Sequence, residues 1–126
     1  MNDFWAKAVT AARTARAALA LGDTDGAVSR SYYAMLDAAK AALEAIDPSH
    51  LDAKSHATII ARFGKYVVVG KGLDQEIGKI LNTTEDLRHV ADYDRKPVSV
   101  EDARQTLEKL ERLMLAVAAV LGEPPP

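Results

Sequence analysis

Apolar residues recur at helical spacing in five stretches of this chain, and glycine or proline separates the stretches. The predicted helices span about residues 3–21, 24–46, 52–68, 73–91 and 99–121. The last is the clearest, because its leucine, methionine and valine positions follow a heptad-like pattern. Short loops between helices of this length favour antiparallel neighbours. The pattern therefore predicts an all-α fold, an antiparallel bundle of four to five helices.

The predicted helix ends rest on capping residues. Asp3 is placed at the start of the first helix, Ser49 or Asp52 at the third, and Ser99 at the fifth, where an acid follows three residues later. The β-branched run Val67–Val69 also fits a strand, but the chain offers no second strand to pair with it. We therefore assign that run to helix.

Length and composition indicate one domain over residues 1–121, followed by a frayed, proline-rich tail at 122–126. The chain has no cysteine and a net charge of −2, which argues against disulfides and against a strongly basic nucleic-acid binder. No signal peptide and no membrane-length apolar run are evident, so we expect a cytoplasmic protein without a membrane partner.

One local charge imbalance stands out. Five basic residues but only two acidic ones lie between positions 54 and 79. Such a face could contact phosphate, although a solvated helix surface is the simpler interpretation.

Two polar clusters interrupt the otherwise alanine- and leucine-rich helical pattern. The first, within residues 27–35, holds Arg30, Tyr32 and Tyr33, and the second, within residues 88–94, holds Arg88, His89, Asp92 and Tyr93. The functional interpretation is a cleft in which Arg30 and one tyrosine meet the second cluster. The structural interpretation is a buried tyrosine whose hydroxyl has one partner, with the Arg30 stem lying along the surface.

Asp92 has two candidate partners. Arg88 precedes it by one helical turn, which favours a simple salt bridge, and Arg30 could reach it across the bundle. A buried arginine–carboxylate pair is costly unless it is well bonded, so its presence would indicate specificity or chemistry.

Common catalytic and metal-binding patterns are missing from the sequence. His50, His56 and His89 lack metal-ligand spacing, no phosphate-binding loop follows the Walker pattern, and no hydrolase nucleophile motif occurs. We therefore expect neither a metal nor a cofactor.

Several motifs together resemble the HEPN-domain proteins, specifically the small stand-alone type that is paired with minimal nucleotidyltransferases. The matching segments are Ala27–Met35, Ser55–His56, Phe63–Tyr66, Gly72–Asp74, and Arg88 with Ala91–Asp94. The resemblance implies a helical bundle that forms homodimers and pairs with a nucleotidyltransferase encoded nearby, often as a toxin–antitoxin module. It also implies RNA or nucleotide as a ligand, because many relatives are metal-independent ribonucleases.

The ribonuclease signature of that family is arginine, four to six residues, then histidine, and this chain departs from it. Arg88 is followed at once by His89, and no histidine lies four to six residues beyond. His89 or Tyr93 would have to replace the usual histidine beside Arg88. Tyr93 also lies about where relatives carry a tyrosine that the nucleotidyltransferase modifies with AMP, which makes it a candidate modification site.

Three functions stay open from the sequence. The first is a binding subunit of a toxin–antitoxin or nucleotidyltransferase-linked module, using Arg30, Tyr33, Asp92 and Tyr93. The second is a ribonuclease toxin in which Arg88 and His89 are catalytic. The third is a purely structural helical dimer. Burial discriminates among them, because a closed polar network indicates structure and an open cleft indicates a site.

Overall fold

All regular structure in the computed structural model, which describes residues 2–126, is helical. The α-helices are α1 (Asp3–Ala20), α2 (Thr24–Ile46), α3 (His56–Arg62), α4 (Gln75–Tyr93) and α5 (Val100–Leu121). A 3₁₀ turn, Pro48–Asp52, lies between α2 and α3, and a π-helical segment, Phe63–Val69, continues α3. The predicted all-α bundle is confirmed.

Helix α2 forms the centre of the bundle and packs against α1, α4 and α5. Its contact with α1 uses alanines on both sides, and Ala8, Ala12 and Ala15 of α1 are fully buried. Small side chains let two helix backbones approach closely, which explains why so alanine-rich a chain still has a dense core. Larger side chains from every helix, among them Met35, Phe63 and Leu81, fill the remaining space.

Most helix ends follow the predicted chemistry. The Ser99 hydroxyl accepts a hydrogen bond from the backbone N–H of Asp102, as predicted for α5, and Gly122 ends that helix with a left-handed φ of 69°. The prediction for α1 is wrong by one residue. Asn2 is the cap, and its side-chain oxygen accepts from the backbone N–H groups of Phe4 and Trp5. A carboxamide oxygen serves an N-cap as well as a carboxylate does.

The helix predicted at 52–68 starts four residues later, at His56, and changes from α to π geometry at Phe63. The 3₁₀ turn and a short loop occupy its predicted first residues, and Ser55 rather than Ser49 or Asp52 caps α3. In the π segment the N–H of Gly70 donates to the carbonyl of Lys65, five residues back. A Cβ at Gly70 would collide with the Tyr66 carbonyl oxygen, so glycine permits this wide turn. The run Val67–Val69 is helical, as assigned.

Helix α4 starts two residues after the predicted position, because Asp74 caps it, and it continues to Tyr93 rather than ending at 91. Arg88, Asp92 and Tyr93 therefore lie on regular helix, where residues four apart share a face. No helix within residues 2–126 combines the length and the apolar character that crossing a membrane requires.

Candidate functional site

Arg88 projects from α4 towards α2 and is buried against it. Only 9% of the residue is exposed, and its guanidinium carbon lies 4.9 Å from the centre of the Tyr32 ring and 5.9 Å from that of Tyr33. One guanidinium nitrogen donates to Oδ2 of Asp92 over 3.3 Å. A buried arginine is thus held by one carboxylate and two aromatic rings.

The two tyrosines are adjacent on α2 but occupy different environments. Tyr32 is fully buried, whereas Tyr33 is half-buried, as expected for neighbours about 100° apart around a helix. Their rings meet edge to face with centres 5.2 Å apart. The long Arg88 side chain reaches both rings from α4.

His56, at the start of α3, completes this group. Its Nδ1 lies 3.3 Å from the Tyr32 hydroxyl oxygen, a hydrogen bond, and its ring centre is 6.1 Å from that of Tyr33. Burial raises the pKa of Tyr32 to about 12, helped by the charge of Glu85 and opposed by Arg88. The hydroxyl therefore keeps its proton at neutral pH. The buried tyrosine with one hydroxyl partner, which the sequence allowed, is confirmed.

Arg30 lies at the rim of the same group. It is exposed, and its guanidinium carbon is 5.3 Å from the centre of the Tyr33 ring. Tyr33 thus lies within contact of two arginines, and Asp92 pairs with Arg88 rather than with Arg30. We name these six residues the tyrosine–arginine cluster: Arg30, Tyr32, Tyr33, His56, Arg88 and Asp92.

His89 and Tyr93 form a separate pair on the surface of α4. Their rings stack with centres 6.0 Å apart, and Tyr93 is 78% exposed. In the described chain, His89 makes no hydrogen bond to Arg88. The two residues predicted as catalytic are therefore not joined by a hydrogen bond between their side chains in the described residues.

The charge of Arg88 is firmly maintained. Desolvation lowers its pKa, but Asp92 and the two tyrosines outweigh that effect and leave the pKa above its ordinary value. Its Nε has no hydrogen-bond partner within residues 2–126. The cluster is thus closed around Arg88 and open only at its rim, where Arg30, His56 and Asp92 reach the surface.

Sequence reasoning missed His56 as a member of the site. Its residue type and its place beside Ser55 were visible, but no spacing rule links it to the tyrosines, because the contact depends on how α3 packs across α2. Within residues 2–126 the structure has no group of three or more histidine or acidic side chains placed to hold a metal ion.

A long groove lies beside the cluster, between α4 on one side and α3 with the π segment on the other. It encloses about 770 Å³. Its lining is mainly small and apolar, with Lys65 on the π-segment wall and three polar residues on the α4 wall: Ala57, Ile60, Ala61, Gly64, Lys65, Val69, Asn82, Glu85 and Asp86. Val69 is 77% exposed at one edge.

Comparison with known proteins relates this helical bundle to a protein family. The HEPN domain family matches residues 1–120. "Putative toxin MJ0605" of Methanocaldococcus jannaschii is 32% identical over 97 residues, which is 77% of this chain and 70% of that protein. "UPF0332 protein glr0978" of Gloeobacter violaceus is 36% identical over 101 residues, 79% of this chain and 78% of that protein. No solved structure matches. The five-helix bundle and the family match agree, and this chain belongs to the HEPN domain family.

Proposed function

We propose that this protein is the HEPN subunit of a toxin–antitoxin or nucleotidyltransferase-linked module in the cytoplasm and that it acts by binding its partner. The similarity to a protein named "Putative toxin MJ0605" supports the module. The environment of the Arg88 guanidinium is the observation that favours partner binding over RNA cleavage. Its guanidinium is neutralised by Asp92 and covered by two rings, so little of it is free to bind a phosphate.

Metal-independent cleavage of RNA needs a cation at the phosphate and an imidazole that moves the proton of the 2′-hydroxyl. In this chain His89 stacks on Tyr93, and no hydrogen bond joins its ring to Arg88 in residues 2–126. That arrangement favours the binding function, because the sequence offers no histidine at the family's spacing after Arg88.

The groove between α3 and α4 is the surface we assign to the nucleotidyltransferase. Its small, apolar floor suits a helix or loop of a protein partner, and Glu85 and Asp86 supply charge along one wall. A partner element that docks there would carry basic residues against that wall.

Co-expression with the nucleotidyltransferase encoded beside this protein tests the assignment. Ala61→Arg puts a long side chain into the groove from an exposed helical position, and Ala17→Arg on α1 makes the same change elsewhere. We expect the tagged wild type and A17R to co-purify with the nucleotidyltransferase and A61R to lose it. If A61R recovers as much nucleotidyltransferase as the wild type, the groove is not the docking surface. If the wild type recovers none, the proposed function is contradicted.

We propose that the protein is also a homodimer. Light scattering after size exclusion gives the molar mass of the protein alone and of A61R. A monomeric wild type contradicts the homodimer. A dimer that A61R dissociates would mean that the groove holds a second copy rather than the nucleotidyltransferase.

Metal-independent ribonuclease activity is the second candidate, and one observation favours it. His56 is exposed and bonded to Tyr32, whose ring lies against Arg88, so an imidazole does belong to the cluster. RNA cleavage in EDTA is compared for the wild type, Arg88→Ala, His89→Ala and His56→Ala. Cleavage that R88A abolishes would establish the ribonuclease activity. Comparison of H56A with H89A would then show which histidine the cleavage requires. The binding function predicts no cleavage by any of the four.

A further inference from the structure

A separate pocket lies between α1 and α2, and Arg30, at the rim of the tyrosine–arginine cluster, is part of its lining. The pocket encloses about 370 Å³, within the about 300–1,000 Å³ of typical small-molecule pockets. Its charged side chains are Lys7 on α1 and Arg30 and Asp37 on α2, and threonines and alanines of α1 complete it. It shares no lining residue with the groove between α3 and α4.

Asp37 is a half-buried carboxylate that the rest of the described chain leaves without a partner. It accepts no hydrogen bond and forms no ion pair within residues 2–126. Burial raises its pKa, although the charges of Lys40, Lys7 and Arg30 act in the opposite direction. Desolvation of the ionised carboxylate therefore opposes folding.

The position of Asp37 in the chain adds to that cost. Aspartate is a weak helix former, and Asp37 lies in the middle of α2, far from the helix ends where its side chain would act as a cap. A residue that lowers stability and has no structural partner, yet lines a pocket, is typical of a functional site. We therefore assign its carboxylate to a ligand.

The two cations of the pocket have no carboxylate partner either. Neither Lys7 nor Arg30 forms an ion pair within residues 2–126. The Arg30 guanidinium lies over the ring of Tyr33, with its central carbon 5.3 Å from the ring centre. Contact through the face of a guanidinium leaves the N–H groups in its plane available. Tyr33 thus restrains Arg30 without using its hydrogen-bond donors.

The spacing of these groups suits one small molecule. Arg30 and Asp37 are seven residues apart, so they share a face of α2 and are separated by two helical turns, about 10 Å. On the facing wall, the Thr14 hydroxyl donates to the carbonyl of Thr10 over 3.1 Å, so its oxygen is still free to accept. The pocket therefore holds one negative and two positive groups within the length of a single ligand.

The signs of these charges restrict the kind of ligand. A purely anionic molecule is repelled by Asp37, and a simple amine is repelled by Lys7 and Arg30. A molecule with one ammonium group and two carboxylates matches the three charges of the pocket. Methylene groups between those charges would contact the apolar part of the lining, which consists of Ala6 and Ala11.

We propose that this pocket binds a free amino acid with an acidic side chain, of the glutamate and aspartate class. The ammonium group of the ligand meets Asp37, and its two carboxylates meet Arg30 and Lys7. Arg30 binds its carboxylate through two parallel N–H groups, a geometry that lysine lacks. The proposal does not rest on the docking of a nucleotidyltransferase, because the pocket and the groove have no residue in common.

Calorimetric titration of the full-length protein with glutamate tests the proposal, at an ionic strength held constant with sodium chloride. Glutarate is the matched comparison, because it keeps both carboxylates and lacks the ammonium group, and we expect it to bind more weakly. Asp37→Asn should weaken glutamate binding about tenfold, which is about 1.4 kcal/mol, and should not weaken glutarate binding. Asp86→Asn makes the same change at an exposed position of α4 outside the pocket and should match the wild type.

Arg30→Gln tests the other end of the ligand. R30Q should weaken the binding of glutamate and of glutarate alike, because both carry carboxylates, whereas Arg13→Gln at an exposed position of α1 outside the pocket should weaken neither. The proposal is overturned if the wild type binds no glutamate or binds glutarate as tightly. Equal losses in D37N and D86N would also overturn it, since the carboxylate would then act at long range and not in the pocket.

Urea denaturation gives a readout that the absence of a ligand does not affect. Without ligand, D37N should unfold at the same urea concentration as the wild type or at a higher one, because a desolvated and unpaired charge is removed. Glutamate should then raise the midpoint of the wild type more than that of D37N. A lower midpoint for D37N without ligand would mean that Asp37 supports the fold, which contradicts its assignment to a ligand. None of these results bears on partner binding through the groove.

Discussion

The guanidinium of Arg88 lies against the ring of Tyr32, with its central carbon 4.9 Å from the ring centre. This contact joins α4 to α2 at a point where both residues are buried. A desolvated cation over an aromatic face is stabilised by about 2 kcal/mol, and the hydrogen bond to Asp92 adds to that. Tyr32 and Arg88 are therefore part of the core as well as of the candidate site.

Replacing Arg88 should destabilise the fold. Arg88→Ala removes the contacts to both rings and leaves a gap between α2 and α4, so we expect a loss of about 2–3 kcal/mol in the free energy of unfolding. Arg88→Lys should lose less, because the charge persists while the planar stacking is lost. Urea denaturation measures both.

The control is Arg104→Ala on α5, which removes an exposed arginine 3.5 Å from Glu101. Exposed pairs contribute little, so R104A should change the free energy of unfolding by less than about 1 kcal/mol. Equal losses in R88A and R104A would show that the cluster does not stabilise the core.

Tyr32 makes stability depend on pH in the alkaline range. In the unfolded chain a tyrosine loses its proton near pH 10, whereas in the folded protein the pKa of Tyr32 is raised to about 12. Between these values the unfolded state binds fewer protons. The contribution of Tyr32 to the free energy of unfolding is therefore fully present below about pH 10 and is lost as the pH rises towards 12. Two pKa units correspond to about 2–3 kcal/mol.

Tyr32→Phe keeps the ring and removes the titrating hydroxyl. Urea denaturation across this pH range should give a smaller decline in stability for Y32F than for the wild type. At neutral pH the variant should lose only about 1 kcal/mol, because one hydrogen bond to an exposed histidine is removed. Parallel pH profiles for the two proteins would contradict the assigned pKa shift.

Features of the fold that depend on residues close together in the sequence could be predicted, whereas those that depend on packing between helices could not. Helices α1, α2, α4 and α5 follow from periodicity and caps, and the Arg88–Asp92 pair follows from its spacing of one helical turn. The segment at 48–69 could not be predicted in detail, since 3₁₀, α and π turns differ by small adjustments in hydrogen bonding that packing decides.

The membership of the site was non-local and only partly visible. Both tyrosines and Arg88 stood out because polar and aromatic residues interrupt an apolar pattern. His56 did not, because its contact with Tyr32 depends on the angle at which α3 crosses α2. The separation of His89 from Arg88 likewise follows from α4 staying regular to Tyr93, which directs adjacent residues to different faces.

Two glycines of the α3 region should respond oppositely to alanine. At Gly64 a Cβ meets nothing within 4 Å and the backbone is helical, so Gly64→Ala should raise the free energy of unfolding by about 0.4–1 kcal/mol. At Gly70 a Cβ would collide with the Tyr66 carbonyl oxygen, so Gly70→Ala should lower it by about 1–3 kcal/mol. Urea denaturation of the two variants, each compared with the wild type, checks both signs. A stable G70A would show that the segment can rewind into an ordinary α-helix without cost.

Tyr93 is the tyrosine that we expect a partner nucleotidyltransferase to modify with AMP. Its side chain is 78% exposed beside the exposed ring of His89, so its hydroxyl is accessible to a partner active site, whereas Tyr32 is fully buried. Co-expression with the nucleotidyltransferase should give protein with the added mass of an adenylyl group, mapped by fragmentation to the peptide that contains Tyr93. Tyr93→Phe should abolish that mass, and Tyr66→Phe should not, although Tyr66 is itself 38% exposed. Unmodified Tyr93 in a stable complex with the nucleotidyltransferase would contradict the modification while leaving the binding function intact.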